Sequence, residues 1–458
     1  MGFSPQRLRD SLAATLQEAG VTPTAACVAL SGGLDSTVLL AALAAEAGRL
    51  PMALRAVHVD HGLHPDSADW SRRCASLAGA LGTSCDVVRV DARPAAGQSP
   101  EAAAREARYA ALGRQLRAGE VLLTAHHADD QLETVLLQWL RGGGLAAVAG
   151  MRPLSTFAAG WLARPLLGWA RAELRDWAQG EGLEWLEDPS NADPRFDRNY
   201  LRLEVLPSLR ARWPAAARTA GRVAAQAADA LDLEAEVAAA GLAMVTAGET
   251  LVLQPLQSLS PARQRVLLRA WLRSRGLAPP SAATLESLRR DMQAAHSSRI
   301  PRTDWPGVVV RRYRGRLYAA PAATDTAPWR GGQWRTDEGF ELGAFGRLEL
   351  VAATGQGLSR ERLPAALTVG PRPAGALFRP AGSAHHRELR KWLQERGVLP
   401  WLRDTLPCVR AGDELVAVAG LGCGGSLAAA PGEPSWRIEW RGRPALTEAE
   451  AIGNHGPA

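Results

Sequence analysis

Short apolar runs alternate with longer segments of helical periodicity over the first part of the chain. The runs that predict strands are Ala26–Leu30, Leu54–Val59, Asp86–Val90 and Val121–Ala125. The segments with apolar residues at helical spacing are Thr37–Ala47, Ser67–Leu81 and Glu101–Arg117. This alternation is typical of an α/β fold with a doubly wound parallel sheet, in which ligands bind at the carboxyl ends of the strands. We therefore expect chemistry-bearing residues just after Leu30, Val59 and Ala125.

The alternation stops after residue 213. An alanine-rich helical stretch opens at Pro214 and runs to about His296. Two β-rich pieces in Val308–Ala319 predict a hairpin around Arg314–Gly315. The segment Ala320–Trp329, rich in Ala, Pro and Thr, predicts a linker.

The last third of the chain mixes both kinds of element. Strand-like pieces at Arg347–Val351 and Leu415–Ala419 accompany one helix, His386–Arg396. We therefore divide the chain into an α/β catalytic domain at 1–214, a mainly helical middle domain at 215–325, a small α+β C-terminal domain at 326–445 and a frayed tail at 446–458.

Composition narrows the class of protein. Hydrophobic residues make up 47% of the chain and charged residues 22%, as in globular proteins. No apolar run approaches the roughly 18 to 20 residues of a membrane span, and Arg7, Arg9 and Asp10 interrupt any signal-peptide core, so we expect a cytoplasmic protein without a membrane association. The five cysteines lack the C-x-x-C spacing of zinc or iron–sulfur sites.

The basic residues are almost all arginine. The net charge is +6 and the calculated pI about 9.5, which permits an anionic partner. Of the 53 basic residues only Lys391 is a lysine. A mechanism that needs a lysine of the protein's own therefore has one candidate.

The first motif lies between the first predicted strand and the first predicted helix. It consists of Ser31, Gly32, Gly33, Leu34, Asp35 and Ser36. Glycines let successive backbone N–H groups approach a phosphate, and the following helix adds its positive end. Asp35 offers an oxygen ligand for Mg²⁺ that bridges phosphates. A glycine turn capped by serine is the alternative.

A second polar cluster, His58–Leu63, ends the second predicted strand. Here Asp60 could accept hydrogen bonds from a ribose or an adenine edge, because the position suits a nucleotide. A simple polar turn explains His58 and Asp60 equally well, and a metal site is a further alternative.

The third cluster, His126–Thr134, joins a strand to a helix. Asp130 and Glu133 are three residues apart and share a helical face. They could provide a second Mg²⁺ ligand or a carboxylate pair that binds an ammonium group, and helix capping is the plainer explanation.

Two arginines upstream, Arg105 and Arg108, also share a helical face. They could neutralise phosphate charge or a transition state, or belong to a solvated surface. Downstream, Glu187–Asp193 and Arg198–Arg202 predict a loop followed by a helix start.

The first motif resembles the SGGxDS loop of the PP-loop, or N-type ATP pyrophosphatase, superfamily. Within it the chain is similar to the tRNA(Ile)-lysidine synthase family. The resemblance rests on SGGLDS, HVDHGL, HHADDQLET, ARPLL at 163–167 and EDPSNADPRFDRNYLR at 187–202, and on FRP and LRKWLQE before VLPWLRD at 378–404. The alanine-rich middle matches only in its helical character.

The resemblance implies a ligase that uses ATP and Mg²⁺. Members adenylate the C2 oxygen of the wobble cytidine of a tRNA(Ile) with a CAU anticodon, and free L-lysine then replaces AMP. It implies that residues 31–36, His58 and Asp60 bind ATP and that Asp35 and Asp130 hold the metal. Glu133 or Asp130 would bind and deprotonate the lysine amine, while Arg202 and one of Arg105 and Arg108 would contact the adenylate or the cytosine.

The resemblance also gives a function to a basic C-terminal segment. The residues expected to contact tRNA are Arg379, Arg387, Arg390, Lys391, Trp392 and Arg403. An ordinary amphipathic basic helix is the alternative. We expect no obligatory protein partner. Another PP-loop tRNA-modifying enzyme and a catalytically silent tRNA-binding protein remain the rival functions.

Overall fold

A computed structural model describes residues 2–62, 66–93, 100–187, 195–291, 300–322 and 329–453. Parts of several predicted features lie outside these residues, namely Leu63, residues 188–194 of the acidic loop, His296, residues 323–328 of the linker and residues 454–458 of the tail. Along the described ranges, no helix combines the length and apolar character needed to cross a membrane. The chain forms two compact units, Met1–Leu233 and Glu234–Ala458.

The first unit contains a six-stranded sheet. Its strands are β1 (Ala25–Ala29), β2 (Ala53–Asp60), β3 (Ser84–Arg89), β4 (Glu120–Leu123), β5 (Leu154–Phe157) and β6 (Gly160–Ala163). Their order is β3-β2-β1-β4-β6-β5, and all neighbours are parallel except the β5–β6 hairpin. The four predicted strands are therefore present and parallel.

Helices connect the strands and continue beyond the sheet. They are α1 (Pro5–Glu18), α2 (Leu34–Ala45), α3 (Ser67–Ala80), α4 (Pro100–Gln115), α5 (Ala128–Leu140), α6 (Leu145–Val148), α7 (Arg171–Gly180), α8 (Asp197–Tyr200), α9 (Leu206–Arg212) and α10 (Ala216–Val245). A π-helical turn, Leu201–Val205, joins α8 to α9, and Ala47–Arg49 forms a 3-10 turn.

Side chains of β1 point alternately to the two faces of the sheet. Ala26 and Val28 pack in the larger core with residues of α1, α2 and α7. Cys27 points the other way and packs with Leu112 of α4 and with Leu116, just beyond the end of that helix. Both faces of the central strand are buried, as a doubly wound parallel sheet requires.

The strand order determines where a ligand can bind. From β1 the chain moves outward through β2 and β3, and it then returns to place β4 on the opposite side of β1. The connections after β1 and β4 therefore diverge and leave a crevice at the carboxyl ends of these two strands. The first and third sequence motifs both begin at this crevice.

The second unit is built on antiparallel sheets. One sheet has the order β7-β8-β11-β10-β9, with strands β7 (Thr246–Ala247), β8 (Thr250–Val252), β9 (Arg302–Trp305), β10 (Val308–Tyr313) and β11 (Arg316–Pro321). Its helices are α11 (Leu253–Gln257), α12 (Pro261–Ser274) and α13 (Ala282–Asp291). The predicted hairpin is β10–β11, which turns at Arg314 and Gly315. The structure thus adds a five-stranded sheet to the helices predicted for this region.

The remaining strands form two larger sheets and a short ribbon. The strands are β12 (Gly332–Arg335), β13 (Phe340–Glu341), β14 (Arg347–Thr354), β15 (Leu358–Ser359), β16 (Ala366–Gly370), β17 (Leu377–Phe378), β18 (Arg387–Glu388), β19 (Cys408–Ala411), β20 (Glu414–Val418), β21 (Gly422–Cys423) and β22 (Pro434–Arg441). The orders are β12-β16-β19-β20-β21, β13-β14-β22-β15 and β17-β18. The helices are α14 (Leu389–Glu395) and α15 (Glu448–Ala451), with 3-10 turns at Gly343–Phe345, Pro400–Leu402 and Gly425–Leu427.

The first domain boundary and the predicted linker differ from the sequence-based expectation. The two units divide inside α10 rather than at 214, because Ala217 packs with Leu132 of the first unit and Arg152 pairs with Asp232 at 2.7 Å. Both ends of the predicted linker are ordered, since β11 continues to Pro321 and the indole N–H of Trp329 donates to the Thr405 carbonyl at 2.9 Å.

The expectation of a frayed tail at 446–458 is wrong for the part that the structure describes. Leu446 is fully buried in the C-terminal core, and Thr447 caps α15 by accepting a hydrogen bond from the Glu450 N–H. Burial of these apolar side chains offsets the entropy cost of ordering the segment.

Candidate active site

The glycine-rich loop after β1 is held in one conformation. Gly32 has a φ of +84°, and a Cβ there would lie 2.8 Å from Cys74 Sγ and from Leu186 Cδ1. The Gly32 carbonyl accepts a hydrogen bond from the Leu186 N–H at 2.8 Å. Ser36 Oγ donates to the Gly33 carbonyl at 3.0 Å. Only glycine fits at position 32, and the loop is preorganised at the start of α2.

Asp35 lies in the first turn of α2 beside this loop. One carboxylate oxygen, Oδ1, is buried and accepts no hydrogen bond, although Arg171 Nε lies 3.5 Å away. The other, Oδ2, lies 3.6 Å from His127 Nε2. A buried carboxylate oxygen without a donor is a suitable ligand for a hard cation. Asp35 therefore fits the predicted role in holding Mg²⁺.

His127 connects the first and third motifs. It caps α5, since its N–H donates to Asp130 Oδ2 at 3.1 Å and its Nδ1 accepts from the Asp130 N–H at 3.3 Å. Burial acts to lower the pKa of His127, but the carboxylates of Asp35, Asp130 and Asp129 outweigh it and raise the pKa. His127 was not predicted as a site residue, although its position between a strand and an acidic helix start was a visible signal.

Asp130 and Glu133 bind two arginines. Arg198 bridges them, with Nη2 donating to Asp130 Oδ1 and Nε to Glu133 Oε2, both at 2.8 Å. Arg202 forms a bidentate pair with Glu133, at 2.8 Å to Oε1 and 2.9 Å to Oε2. Burial raises the pKa of Asp130, but His127 and Arg198 outweigh it, and the pKa lies below its usual value. Two carboxylates and two guanidinium groups thus form a charge-balanced cluster.

The two arginines reach the same carboxylates because of the local helix geometry. Arg198 lies in α8, and Arg202 lies four residues later in the π turn. A π turn contains an extra residue relative to an α-helix, and such turns are frequent at functional sites. The spacing of Arg198 and Arg202 was visible in the sequence, yet only Arg202 was predicted.

Asp129 joins three segments at the edge of this cluster. Its Oδ2 accepts a hydrogen bond from the Arg171 N–H at 2.7 Å, and its Oδ1 accepts one from Arg210 Nη2 at 2.7 Å. Asp129 therefore fixes α7 and α9 to the start of α5. Neither arginine was predicted as a site residue.

The second sequence motif makes mainly internal contacts. His58 is buried, and its Nδ1 lies 2.8 Å from the Leu30 carbonyl oxygen. Asp60 is also buried and accepts a hydrogen bond from the Gly62 N–H at 2.9 Å. These bonds hold the carboxyl end of β2 beside the glycine-rich loop, as the polar-turn alternative requires. ATP binding by His58 and Asp60 stays a prediction.

The predicted arginines of α4 lie on its exposed side. Arg108 Nε donates to His61 Nε2 at 3.2 Å, and the Arg105 guanidinium lies over the Tyr109 ring at 4.9 Å. Neither residue contacts the Asp130–Glu133 cluster in the described hydrogen bonds and ion pairs. Both stay predictions.

The basic C-terminal segment divides into exposed and buried residues. Arg387, Arg390 and Lys391 are exposed, and Arg387 pairs with Glu395 at 2.7 Å. Arg379 is half-buried.

One predicted tRNA contact, Trp392, lies in the core instead, whereas Arg403 stays a prediction. Trp392 is only 3% exposed and packs edge-on against Phe378, with ring centroids 4.9 Å apart. Arg403 is half-buried and its Nε donates to the Val398 carbonyl at 2.9 Å. Because the Trp392 ring is buried in the core, it is not available to stack on a base, and this expectation is corrected.

Three family models match successive parts of the chain. The PP-loop domain matches residues 6–209, the TilS substrate binding domain residues 251–318, and the TilS substrate C-terminal domain residues 367–440. A tRNA(Ile)-lysidine synthase from Alkalilimnicola ehrlichii is 44% identical over 433 residues, which are 94% of this chain and 96% of that protein. The chain belongs to the tRNA(Ile)-lysidine synthase family. The predicted family and fold class are confirmed.

Other lysidine synthases match over similar lengths. The tRNA(Ile)-lysidine synthase of Methylococcus capsulatus is 41% identical and covers 86% of this chain and 90% of its own length. Among solved structures, the U34-tRNA thiolase NcsA from Methanococcus maripaludis with its 4Fe-4S cluster is 17% identical, with a TM-score of 0.41 over 48% of this chain and 77% of that chain. The family assignment rests on the lysidine synthases.

Few protein side chains are placed to ligate the metal ion that the resemblance implies. Within the described ranges, no group of three or more His, Cys, Asp or Glu side chains is arranged to hold a metal ion. Mg²⁺ in nucleotide sites is commonly held by one or two carboxylates, with phosphate oxygens and water completing the shell. The orphaned Oδ1 of Asp35 fits that kind of site.

Proposed function

We propose that this chain ligates free L-lysine to C2 of the wobble cytidine of tRNA(Ile) with a CAU anticodon. The reaction consumes ATP and releases AMP and pyrophosphate, with an adenylated cytidine as intermediate. The observation that carries the proposal is the position of the Asp130–Glu133 carboxylates in the same crevice as the glycine-rich loop, in a chain that matches one lysidine synthase over 94% of its length. The substrates occur together in the cytoplasm, where we propose that the enzyme acts without an obligatory protein partner.

ATP would bind with its phosphates at residues 31–36. The backbone N–H groups of this loop and the amino end of α2 supply positive potential to the leaving pyrophosphate. Asp35 would hold Mg²⁺ through Oδ1, and Asp130, whose Oδ2 lies 3.2 Å from the same His127 Nε2 that faces Asp35, is the second proposed ligand. When bound, Mg²⁺ would offset the charge that develops on the α phosphate.

The lysine amine would bind at Asp130 and Glu133. A carboxylate pair attracts an ammonium group, and the amine must lose a proton before it can attack C2. Glu133 is 1% exposed, so its interaction with a cation is little screened by water. Glu133 or Asp130 would accept the proton as attack begins.

Arginines would stabilise the adenylate. Arg202 binds the carboxylates in the crevice and is the primary candidate, whereas Arg105 and Arg108 lie on the exposed side of α4 and are the further candidates. A guanidinium group can bind phosphate oxygens in a bidentate manner and keeps its charge during the reaction.

The exposed part of the basic segment would contact tRNA. Arg387, Arg390 and Lys391 present their charges to solvent beside the half-buried Arg379. Such residues contribute electrostatic attraction to the phosphate backbone that does not depend on sequence.

The decisive experiment combines purified protein, Mg-ATP, L-lysine and an unmodified CAU-bearing tRNA(Ile) transcript. We expect AMP release and a wobble nucleoside heavier by lysine minus water, and both products should require all three substrates. AMP or pyrophosphate formation without lysine transfer would favour another PP-loop tRNA-modifying enzyme. Binding of tRNA without AMP formation would favour a silent tRNA-binding protein.

A further inference from the structure

The carboxylates proposed to bind the lysine amine already have cationic partners. Arg198 donates to both Asp130 and Glu133 at 2.8 Å, and it therefore occupies the position between them. An ammonium group that contacts both carboxylates must occupy the same position. The substrate and the Arg198 guanidinium cannot be there together.

Charge gives the same result as geometry. Asp130 and Glu133 carry two negative charges, and Arg198 and Arg202 carry two positive charges. The neighbouring carboxylates are already engaged, Asp129 by Arg210 and Asp35 by its contacts with Arg171 and His127. An added ammonium group would therefore be a buried positive charge in excess, and such a charge is costly away from water. One arginine must leave when the ammonium arrives.

Arg198 is the arginine that can leave more easily. Arg202 binds Glu133 through a matched bidentate pair and follows Leu201, which is buried. Arg198 is held by single bonds to two different carboxylates, and its short helix α8 has no buried residue. Moving Arg198 therefore disturbs less of the core than moving Arg202.

We propose that Arg198 occupies the ammonium subsite in the absence of lysine and that free lysine binds by displacing it. The inference rests on the proposed lysine site at Asp130 and Glu133. It makes Arg198 a residue that sets the affinity for lysine, because part of the binding free energy is used to break its two bonds. The internal guanidinium keeps the carboxylates paired while the site contains no lysine.

The test is direct binding of L-lysine to the full-length protein by calorimetry, without tRNA. Arg198→Ala removes the competitor, so we expect lysine to bind about tenfold more tightly than to the wild type. Arg212→Ala, an exposed arginine at the end of α9, is the matched control and should leave lysine affinity unchanged.

A purely supporting role of Arg198 would give a different binding result. If Arg198 only supports the pocket, Arg198→Ala will bind lysine more weakly, and millimolar guanidinium ion will restore that binding by filling the vacancy. In a displacement mechanism guanidinium ion competes with lysine in the same variant. Weaker binding with guanidinium rescue overturns the proposal.

A second measurement needs no substitution. Hydrogen exchange of the wild type with and without lysine reports on the 197–202 amides. We expect lysine to speed their exchange, because α8 loses its two bonds to α5. Unchanged or slower exchange overturns the proposal even if Arg198→Ala does not fold. A wild type that binds no lysine at all would instead contradict the proposed function itself.

Discussion

The charges at the sheet crevice and the charges of the C-terminal basic segment are organised in opposite ways. Glu133 is 1% exposed and is held by two arginines from a distant part of the chain. The Lys391 side chain is 76% exposed, and its described ion pair is with Glu388, three residues earlier in the chain, at 3.5 Å.

The comparison shows which charged side chains can be replaced without loss of the fold or the chemistry. A buried charge in a network supports both the fold and the chemistry, so removing it leaves partners unpaired. An exposed charge acts through its long-range field and is screened by salt. We expect substitutions in the crevice to have large, salt-independent effects and those in the basic segment to have small, salt-dependent ones.

The largest effect is expected from Asp35→Ala. This change removes the carboxylate beside the glycine-rich loop, so we expect pyrophosphate release to fall by at least a factor on the order of 10² to 10³. Binding of tRNA should remain nearly unchanged, as measured by filter binding. Full steady-state activity in this variant would show that the metal assignment is wrong.

The next largest effect separates chemistry from support of the fold. Glu133→Gln and Glu120→Gln each weaken a buried ion pair, since Glu120 is 3% exposed and binds Arg55 Nη2 at 2.5 Å. Both should lower the free energy of unfolding, by about 3 kcal/mol. Only Glu133→Gln should also abolish lysine transfer. Equal loss of transfer in the two variants would mean that the Glu133 effect is one of stability.

A smaller effect concerns acid sensitivity of the crevice. Burial lowers the pKa of His126 to about 4, so the folded protein holds a neutral imidazole that the unfolded chain protonates near pH 6.5. Its contribution to stability is therefore lost as the pH falls from 6.5 towards 4, by about 2 kcal/mol between pH 7.5 and 5. Urea unfolding at both pH values should show that His126→Gln loses less stability than the wild type.

The control for this pH effect is the exposed His385 of the C-terminal segment. His385→Gln should lose as much stability as the wild type over the same pH interval. An identical loss in His126→Gln would contradict the burial argument.

The smallest effect is expected from Arg390→Ala combined with Lys391→Ala. Affinity for tRNA should fall about tenfold at low salt, and the slope of log affinity against log salt should decrease by about 1 to 2. The matched control pair is Arg335→Ala with Arg441→Ala, whose side chains are exposed outside the segment. An unchanged salt dependence in the first pair would remove the segment from the tRNA surface.

The sequence predicted the framework of the crevice well. Strands of a doubly wound sheet have apolar runs long enough to detect, and the glycine-rich loop and the acidic cluster each follow one of them. The parallel strand order then brings Asp35 and Asp130 close to His127. Their proximity therefore follows from the predicted sheet alone.

Side-chain partners were harder to predict. Arg198 and Glu133 are 65 residues apart, and their pairing depends on how α8 packs against α5. Strands of two or three residues, such as Thr246–Ala247, are too short to show a period. The burial of Trp392 did have a signal, because Leu389, Trp392 and Leu393 have the i, i+3, i+4 spacing of a buried helix face.

The π turn at Leu201–Val205 has a consequence for how the gene can vary. A π turn arises when one residue is inserted into an α-helix, and it survives only while the extra residue is retained. Deleting one codon of this turn would convert it to α-helix and rotate the residues before it, Arg198 among them, by about 100° around the axis relative to those after it, such as Arg210. Many substitutions can leave that geometry intact, but a change of length cannot. Among natural variants, the length of this segment should therefore be more constant than its composition.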